Sequence, residues 1–366
     1  MTKTLFPIIV AAISLQCALA QSPFIENRSL LNKLNSIISS TVPANGDLNP
    51  YGVAFVPDGF PPGGTISPGD ILVSNFNNSN NVEGTGTTIV SFTPNGAQSL
   101  FATSSIIGLD TALGVLSRGW VIVGNVPVVS AGATPGQGAI QVFDKSGTFA
   151  TSFSDANLLD SPWDLTINDQ GNTAQVFVSN LVSGIVTRLD LSVSKTGVTL
   201  NKTTKIGSGF GTELIAQIVG VGPTGLAFDA SHDLLYVAST KDNEIFAISS
   251  AATRMTDAGM GSLVYSDPVH LHGPLGLTLE LNGNLITANG DAINAGGTQN
   301  SLVEFTPRGN FVANYQLDGG NPGAAFGVAS AFSQGAIRFA AVDDDLNSVT
   351  IWALRFEIII NEAVNR

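Results

Sequence analysis

The sequence is poor in cysteine, histidine and charged side chains. Its 366 residues include one Cys, three His and 12% charged residues. The lone Cys17 excludes a disulfide framework and thiolate metal sites within the chain. Basic residues number 15 against 28 acidic ones, for a formal charge of −13, and they are scattered singly. Nucleic acid and an anionic membrane surface are therefore excluded as partners, because both require a basic patch.

The N-terminus has the pattern of a secretory signal peptide. Lys3 precedes an apolar run over residues 5–15, and Ala18-Leu19-Ala20 supplies the small residues that signal peptidase recognises. The alternative is a buried N-terminal strand or helix. No later apolar run reaches about 18 residues, the length that spans a bilayer. We therefore expect residues 1–20 to be removed and the mature chain to be a secreted, extracellular or periplasmic, monomer.

A short motif recurs every 50–60 residues of the remaining chain. Each copy opens with Pro or Ala, a spacer, usually Gly, and an aliphatic residue. A continuous apolar run follows, then a run that alternates apolar and polar residues, often ending in a Gly-containing hairpin turn. The six copies begin at Pro50, Ala112, Pro162, Pro223, Pro274 and Ala325.

Four short strands per copy, joined by hairpins, are typical of a β-propeller blade. Six copies predict an all-β fold, a six-bladed β-propeller of four-stranded antiparallel blades over residues 48–356. Small residues such as Gly52 and Gly225 suit inner strands that crowd one another near the axis. The second run of each copy is continuously apolar because both of its faces would be buried between neighbouring blades.

The sixth copy shows only three clear strands, so its fourth must come from elsewhere. Residues 21–47 allow two interpretations. Helical spacing within residues 28–40 is shown by Leu30, Leu31, Leu34, Ile37 and Ile38. Alternatively, a strand around residues 24–38 completes the last blade and removes its open edge. Residues 357–366 are interpreted as a C-terminal tail.

The fourth copy carries a family resemblance. Pro223–Asp229 and the runs at 235–239 and 243–248 resemble an NHL repeat and are similar to the related Tyr-Val-Thr-Asn-type repeats. The resemblance covers about residues 48–356 and implies the propeller fold. NHL-like propellers include binding modules, lyases and lactonases, so it implies no single activity.

Polar residues recur where the second strand of a blade is predicted to end. In a propeller these ends gather around one mouth of the axial channel, which makes them candidate ligand-binding residues. The alternative is that Asn serves the local turn, since it bonds nearby backbone. The predicted ligand-binding residues are Asn75, Asn125, Asn180 and Asn289.

Calcium is the one cofactor that the sequence suggests. Ca²⁺ takes six to eight oxygen ligands, and gluconolactonase- and paraoxonase-like propellers hold it with Asn, Asp and Glu. The resemblance implies Asp164, Asn180 and Asp343 as metal ligands here. No Glu stands at an obvious inner-strand start, which departs from the lactonase pattern.

Three residues are candidates for catalysis. Asp164 replaces the motif Gly, so it is either a channel-facing acid or a cap of loop amides. His270 and His272 alternate in an extended segment, with spacing suited to one metal. The resemblance to amidating lyases implies zinc for such a pair, whereas the alternative is two hydrogen-bonded loop histidines.

Two functions from different classes follow. The first is a secreted propeller that acts as a binding module for a protein, glycan or small molecule. The alternative is a Ca²⁺-dependent hydrolase or lactonase. They are distinguished by whether Asp164, Asn75, Asn180 and Asp343 face one cavity.

Overall fold

The computed structural model describes Leu31 and residues 35–128, 135–215, 219–290, 301–320 and 322–355. The predicted signal peptide and the tail at 357–366 lie outside these ranges. Within them the secondary structure consists of 26 β-strands. The described residues also contain no helix of the length and apolar character needed to cross a membrane.

Six four-stranded antiparallel sheets follow one another along the chain. The first strand in the chain is β1 (Asn35–Ser40). Blade 1 is β2 (Leu48–Phe55), β3 (Ile71–Asn77), β4 (Thr88–Phe92) and β5 (Gln98–Thr103); blade 2 is β6 (Leu109–Leu116), β7 (Trp120–Asn125), β8 (Ala139–Asp144) and β9 (Phe149–Phe153); blade 3 is β10 (Pro162–Asp169), β11 (Thr173–Asn180), β12 (Ile185–Val193) and β13 (Val198–Gly207).

The second half of the ring begins after a two-stranded hairpin, β14 (Glu213–Leu214) and β15 (Gly220–Val221). Blade 4 is β16 (Pro223–Asp229), β17 (Leu234–Ser239), β18 (Glu244–Ser249) and β19 (Ser262–Tyr265); blade 5 is β20 (Pro274–Leu279), β21 (Leu285–Asn289), β22 (Ser301–Phe305) and β23 (Phe311–Gln316); blade 6 is β24 (Ala325–Ser333), β25 (Ala336–Asp343), β26 (Ser348–Arg355) and β1. The chain is thus an all-β, six-bladed propeller, as predicted.

Both ends of the chain contribute to blade 6. Strand β1 pairs antiparallel with β26, from Asn35 opposite Ala353 to Ser40 opposite Ser348. Gln98 of blade 1 donates a 2.8 Å hydrogen bond from Nε2 to the Ser40 carbonyl. Residues 35–40 are therefore the outer strand that closes the ring, and not part of a helix, because the exposed edge of β26 offers them a full set of backbone partners.

The hydrophobic core is divided among the seams between neighbouring blades. At the seam of blades 6 and 1, for example, Val73 and Phe92 belong to the same cluster as Val342 and Ile351. All residues of β3 and β7 are buried. Because each second strand is covered on both faces, its sequence is continuously apolar rather than alternating.

Glycine allows the inner strands to approach one another. A Cβ on Gly225 would stand 2.5 Å from the Leu277 nitrogen in the next blade, and one on Gly327 would collide with the backbone of Tyr51. The obstructing atoms are backbone, which has no alternative rotamer. This agrees with the crowding expected near the axis.

The strand register of blade 2 differs from the alignment of the six sequence copies. In blade 1, Val53 pairs with Val73, which stands two residues before Asn75. In blade 2, the residue that pairs two positions before the equivalent Asn125 is Leu113, opposite Val123. Leu113 is therefore the equivalent of Val53. Ala112, and not Gly114, therefore occupies the motif Gly position. The irregular register between Leu109 and Leu113 is longer than in other blades, and a residue-by-residue repeat alignment misses it.

Candidate functional site: the axial cavity

A cavity of about 220 Å³ lies on the axis of the ring, lined by the inner strands of all six blades. Most lining residues near the starts of these strands are buried, Asp164 being partly exposed, and Phe55, Ile167 and Ala331, nearer their ends, are partly exposed as well. The cavity therefore opens at the end of the ring where the inner strands terminate. One lining residue from each blade is Val53, Leu113, Asp164, Leu226, Leu277 and Val328.

An apolar plug closes the other end of the axis, where the sequence predicted an open mouth. Trp163 donates a 2.6 Å hydrogen bond from Nε1 to Tyr51 Oη, and the two rings meet edge-on. Burial raises the pKa of Tyr51 well above its usual range. The plug consists of Tyr51, Phe76, Val126, Val128, Trp163, Leu181 and Val219, with Phe326 packed against them.

Asp164 is the one carboxyl group among the described residues that line the cavity. Its Oδ1 accepts a 2.6 Å hydrogen bond from the Leu165 amide, and its own amide donates to Ser179 Oγ at 3.0 Å. Burial raises the pKa of Asp164 well above its usual range, while hydrogen bonds from the Leu165 and Leu226 amides oppose the rise. Asp164 thus both faces the channel and caps amides, combining the two predicted interpretations.

The four predicted asparagines make the same contact in four blades. Each is buried, and its Nδ2 donates to a carbonyl of the loop that leads into its own blade. None lines the axial cavity. These asparagine latches hold the entry loops, and ligand binding by the asparagines stays a prediction. The acceptors of Asn75, Asn125, Asn180 and Asn289 are the carbonyls of Thr41, Ile107, Leu158 and His270, at 3.1, 2.9, 3.2 and 2.8 Å.

Asp343 occupies the latch position of blade 6. It is 1% exposed, and its Oδ1 accepts a hydrogen bond from the Leu346 amide. Burial raises the pKa of Asp343 to about 7, and the neighbouring Asp318 carboxyl adds to the rise. Neither Asp343 nor Asn180 lines the cavity with Asp164. The axial cavity therefore does not bring the three predicted metal ligands together.

The two histidines lie away from the axis. His270 Nδ1 is 2.7 Å from Asp267 Oδ2, and its ring stacks at 3.9 Å on Phe311 of the outer strand β23. The His272 amide donates to Asn289 Oδ1. Both have the contacts of hydrogen-bonded loop histidines. Among the described residues, no group of three or more His, Cys, Asp or Glu side chains is placed to hold a metal ion.

The aromatic plug was missed from the sequence although a signal was present. Tyr51, Trp163 and Phe326 all stand directly before the motif Gly position in their copies. A bulky aromatic residue recurring beside a position reserved for small residues indicates side chains that meet on the axis.

The sequence matches no protein-family model, and no curated protein is significantly similar to it. Solved structures do resemble it. A protein described as a candidate gluconolactonase aligns over 91% of this chain and 97% of its own, with a TM-score of 0.52 and 15% identity. Regucalcin, a calcium-binding protein from Agrobacterium tumefaciens, aligns over 87% and 96%, with a TM-score of 0.51 and 13% identity.

A streptogramin B lyase covers 87% of this chain and 97% of its own, with a TM-score of 0.50 and 16% identity. At such identities the likeness extends to the fold and no further. The chain therefore has the six-bladed β-propeller fold that gluconolactonase-like and NHL-type propellers share.

Proposed function

We propose that the axial cavity binds a small, uncharged organic molecule, which enters at the end where the inner strands terminate. The observation that carries this proposal is the placement of Asp164, a single acid held inside a cavity that all six blades line. Ligand sites characteristically combine a concave pocket with a few convergent polar groups and a perturbed pKa.

The size and chemistry of the cavity limit the ligand. Its volume of about 220 Å³ is below the 300–1,000 Å³ of sites for drug-sized molecules. The Asp164 carboxyl in its uncharged form donates a hydrogen bond, and Thr166, Thr278 and Ser330 are further polar residues that line the cavity. A carbonyl- or hydroxyl-bearing ligand suits these groups. An anion does not, since it would be repelled by the net charge of −13.

A binding experiment with cavity variants tests the proposal. A library of small neutral lactones, cyclic ethers and polyols is screened by thermal shift, and the binders are titrated against Ala331→Phe, which narrows the open end. The matched control is Ala150→Phe on the exposed outer strand β9. We expect Ala331→Phe alone to lose binding. Equal affinity in both variants would place the ligand elsewhere.

A second candidate is hydrolysis of a lactone or ester in the same cavity. Two structural neighbours are described as a candidate gluconolactonase and a calcium-binding protein, and a buried carboxyl group with a raised pKa suits general acid–base work. Asp164 is the one carboxyl-bearing residue of the cavity lining, and a single carboxylate does not fit the six to eight oxygens that Ca²⁺ takes. We therefore assign no step to calcium there.

Asp164→Asn distinguishes the two candidates. A hydrolase would lose turnover of γ-butyrolactone or δ-valerolactone in this variant while retaining affinity, since the amide cannot transfer the proton. A binding module would show no turnover in either form.

Mass spectrometry of the exported protein, with Gln21 as the expected first residue, tests the proposal that it is secreted.

A further inference from the structure

The sequence contains three copies of the Asn-x-Ser/Thr pattern to which N-linked sugars are attached in secreted proteins. They begin at Asn27, Asn77 and Asn201. Asn27 lies outside the described residues. Asn77 and Asn201 have very different surroundings, and the difference determines which of them can carry a sugar in the folded protein.

Asn201 is the extra residue of a β-bulge in β13, the outer strand of blade 3. Its neighbours Leu200 and Lys202 pair with consecutive residues of β12, so Asn201 has no residue opposite it in the ladder. A bulge redirects the side chain of the inserted residue. Asn201 is exposed, and its side chain is therefore accessible at the rim of the blade.

The side-chain amide of Asn201 can form a bond to a sugar and keep its protein contact. Its Nδ2 donates a 2.8 Å hydrogen bond to Oγ of Ser192, which is also exposed. An Asn side-chain nitrogen carries two protons, and attachment of a sugar replaces one of them. The remaining N–H can still donate to Ser192, so the folded strand accommodates the modification.

Asn77 has no room for a sugar. It is 1% exposed, and its Nδ2 donates to Asn81 Oδ1 at 2.9 Å and to Glu83 Oε1 at 3.1 Å. Both protons of the amide are thus used inside the protein. A sugar on Asn77 would remove one of these hydrogen bonds and place an oligosaccharide in the buried end of β3, which the fold excludes.

We propose that Asn201 accepts an N-linked oligosaccharide and that Asn77 stays unmodified in the folded protein. The donor is an oligosaccharide linked to a lipid diphosphate. The bond from Asn201 Nδ2 to C1 of the sugar forms as the bond from C1 to the diphosphate oxygen breaks. The diphosphate leaves with the electron pair, and Nδ2 loses one proton. The proposal rests on the secretion proposed above, because this transfer occurs as a chain enters the secretory route of a eukaryotic cell.

A sugar at Asn201 would cover the open edge of blade 3. Strand β13 is the last strand of its sheet and has 10 residues, whereas the outer strands of the other blades have four to six. A long open edge can pair with the edge of another chain, and a hydrophilic oligosaccharide blocks such pairing. Asn201 does not line the axial cavity, so the sugar leaves that cavity accessible.

The test maps the modified residues of the full chain secreted by a eukaryotic host, with its own residues 1–20 and, in parallel, with a signal peptide of the host in their place. Peptide-N-glycosidase in heavy-oxygen water labels each Asn that carried a sugar, and peptide mass spectrometry reads the three sites separately. We expect the label at Asn201 and none at Asn77. Asn201→Gln and Thr203→Ala should abolish the label at this site. Thr203→Ser, which keeps the pattern, is the matched control and should retain it.

Secreted, folded protein with an unmodified Asn201 would overturn the proposal, and so would a sugar on Asn77. Protein that reaches the medium only with the signal peptide of the host would instead overturn the secretion by residues 1–20 on which the proposal rests, so the two failures are distinguishable. The map of the wild-type protein decides the question even if a variant fails to fold.

Discussion

The indole of Trp163 and the phenol of Tyr51 are joined by a 2.6 Å hydrogen bond across the axis of the ring. The two residues are 112 positions apart and belong to blades 3 and 1, which are not neighbours. The bond therefore links two blades that share no seam, at the closed end of the channel.

Tyr51→Phe should destabilise the protein by about 1–3 kcal/mol, because it leaves the buried Trp163 N–H without an acceptor. Chemical denaturation measures the change in the free energy of unfolding. Tyr236→Phe is the matched control: Tyr236 is also buried, at 3% exposure. If Tyr51→Phe and Tyr236→Phe lower the free energy of unfolding equally, the hydrogen bond between Trp163 and Tyr51 makes no specific contribution to stability.

Gly225→Ala should cost about 1–3 kcal/mol or more through overpacking, because its Cβ would meet the backbone of the next inner strand. Gly197→Ala, where a Cβ would meet nothing within 4 Å, is the control. Thermal unfolding of both variants gives the comparison. A shift in Tm no larger for Gly225→Ala than for Gly197→Ala would contradict the close approach of the inner strands.

Asn125→Ala tests the asparagine latch. It removes the 2.9 Å hydrogen bond to the Ile107 carbonyl, and we expect a loss of about 1–3 kcal/mol in the free energy of unfolding. Because Asn125 does not line the cavity, affinity for a cavity ligand should be unchanged. Asn157→Ala, at an exposed site, is the control and should change neither the free energy of unfolding nor the affinity for a cavity ligand. A variant that keeps its stability but loses ligand binding would instead support the predicted binding role.

Glu83 should make stability depend on pH. Its Oε1 accepts hydrogen bonds from Asn49 and Asn77, and burial raises the pKa of Glu83 to about 7. The folded state thus holds this proton more tightly than the unfolded chain, in which a Glu titrates near pH 4.3. Its contribution to stability is greatest below that pH and falls as the pH rises to about 7.

Glu83→Gln keeps a side-chain oxygen that can accept the hydrogen bonds from Asn49 and Asn77, and it removes the titratable carboxyl group. Relative to wild type, the variant should gain up to about 3 kcal/mol of stability between pH ~4 and pH ~8. Glu213→Gln, at an exposed site, is the control and should track the wild type. Denaturant titrations across this range measure the difference. Parallel curves for wild type and Glu83→Gln would show that Glu83 titrates normally in the folded state.

The fold was predictable because each blade repeats a local pattern. Apolar runs and Gly-containing turns define the strands, and the recurrence of the pattern gives the number of blades. The closing strand was left between two alternatives, since Asn35–Ser40 becomes a strand only by pairing with β26, more than 300 residues away. The local sequence pattern therefore does not show which strand residues 35–40 pair with.

The candidate site was predicted only in part. Asp164 was identified because it interrupts a motif of glycines, and the structure places it in the axial cavity. The polar asparagines suggested a ligand mouth, yet their amide nitrogens bond entry-loop carbonyls. Which end of the channel is open depends on side chains that meet from separate blades, such as Tyr51 and Trp163, and spacing along the chain does not encode that convergence.

The most direct test is a crystal structure of the protein soaked with its tightest-binding small neutral probe. We predict electron density for the probe in the axial cavity, within hydrogen-bonding distance of the Asp164 carboxyl. Density for the probe elsewhere on the molecule, with the cavity holding solvent alone, would contradict the assignment of the cavity as the functional site.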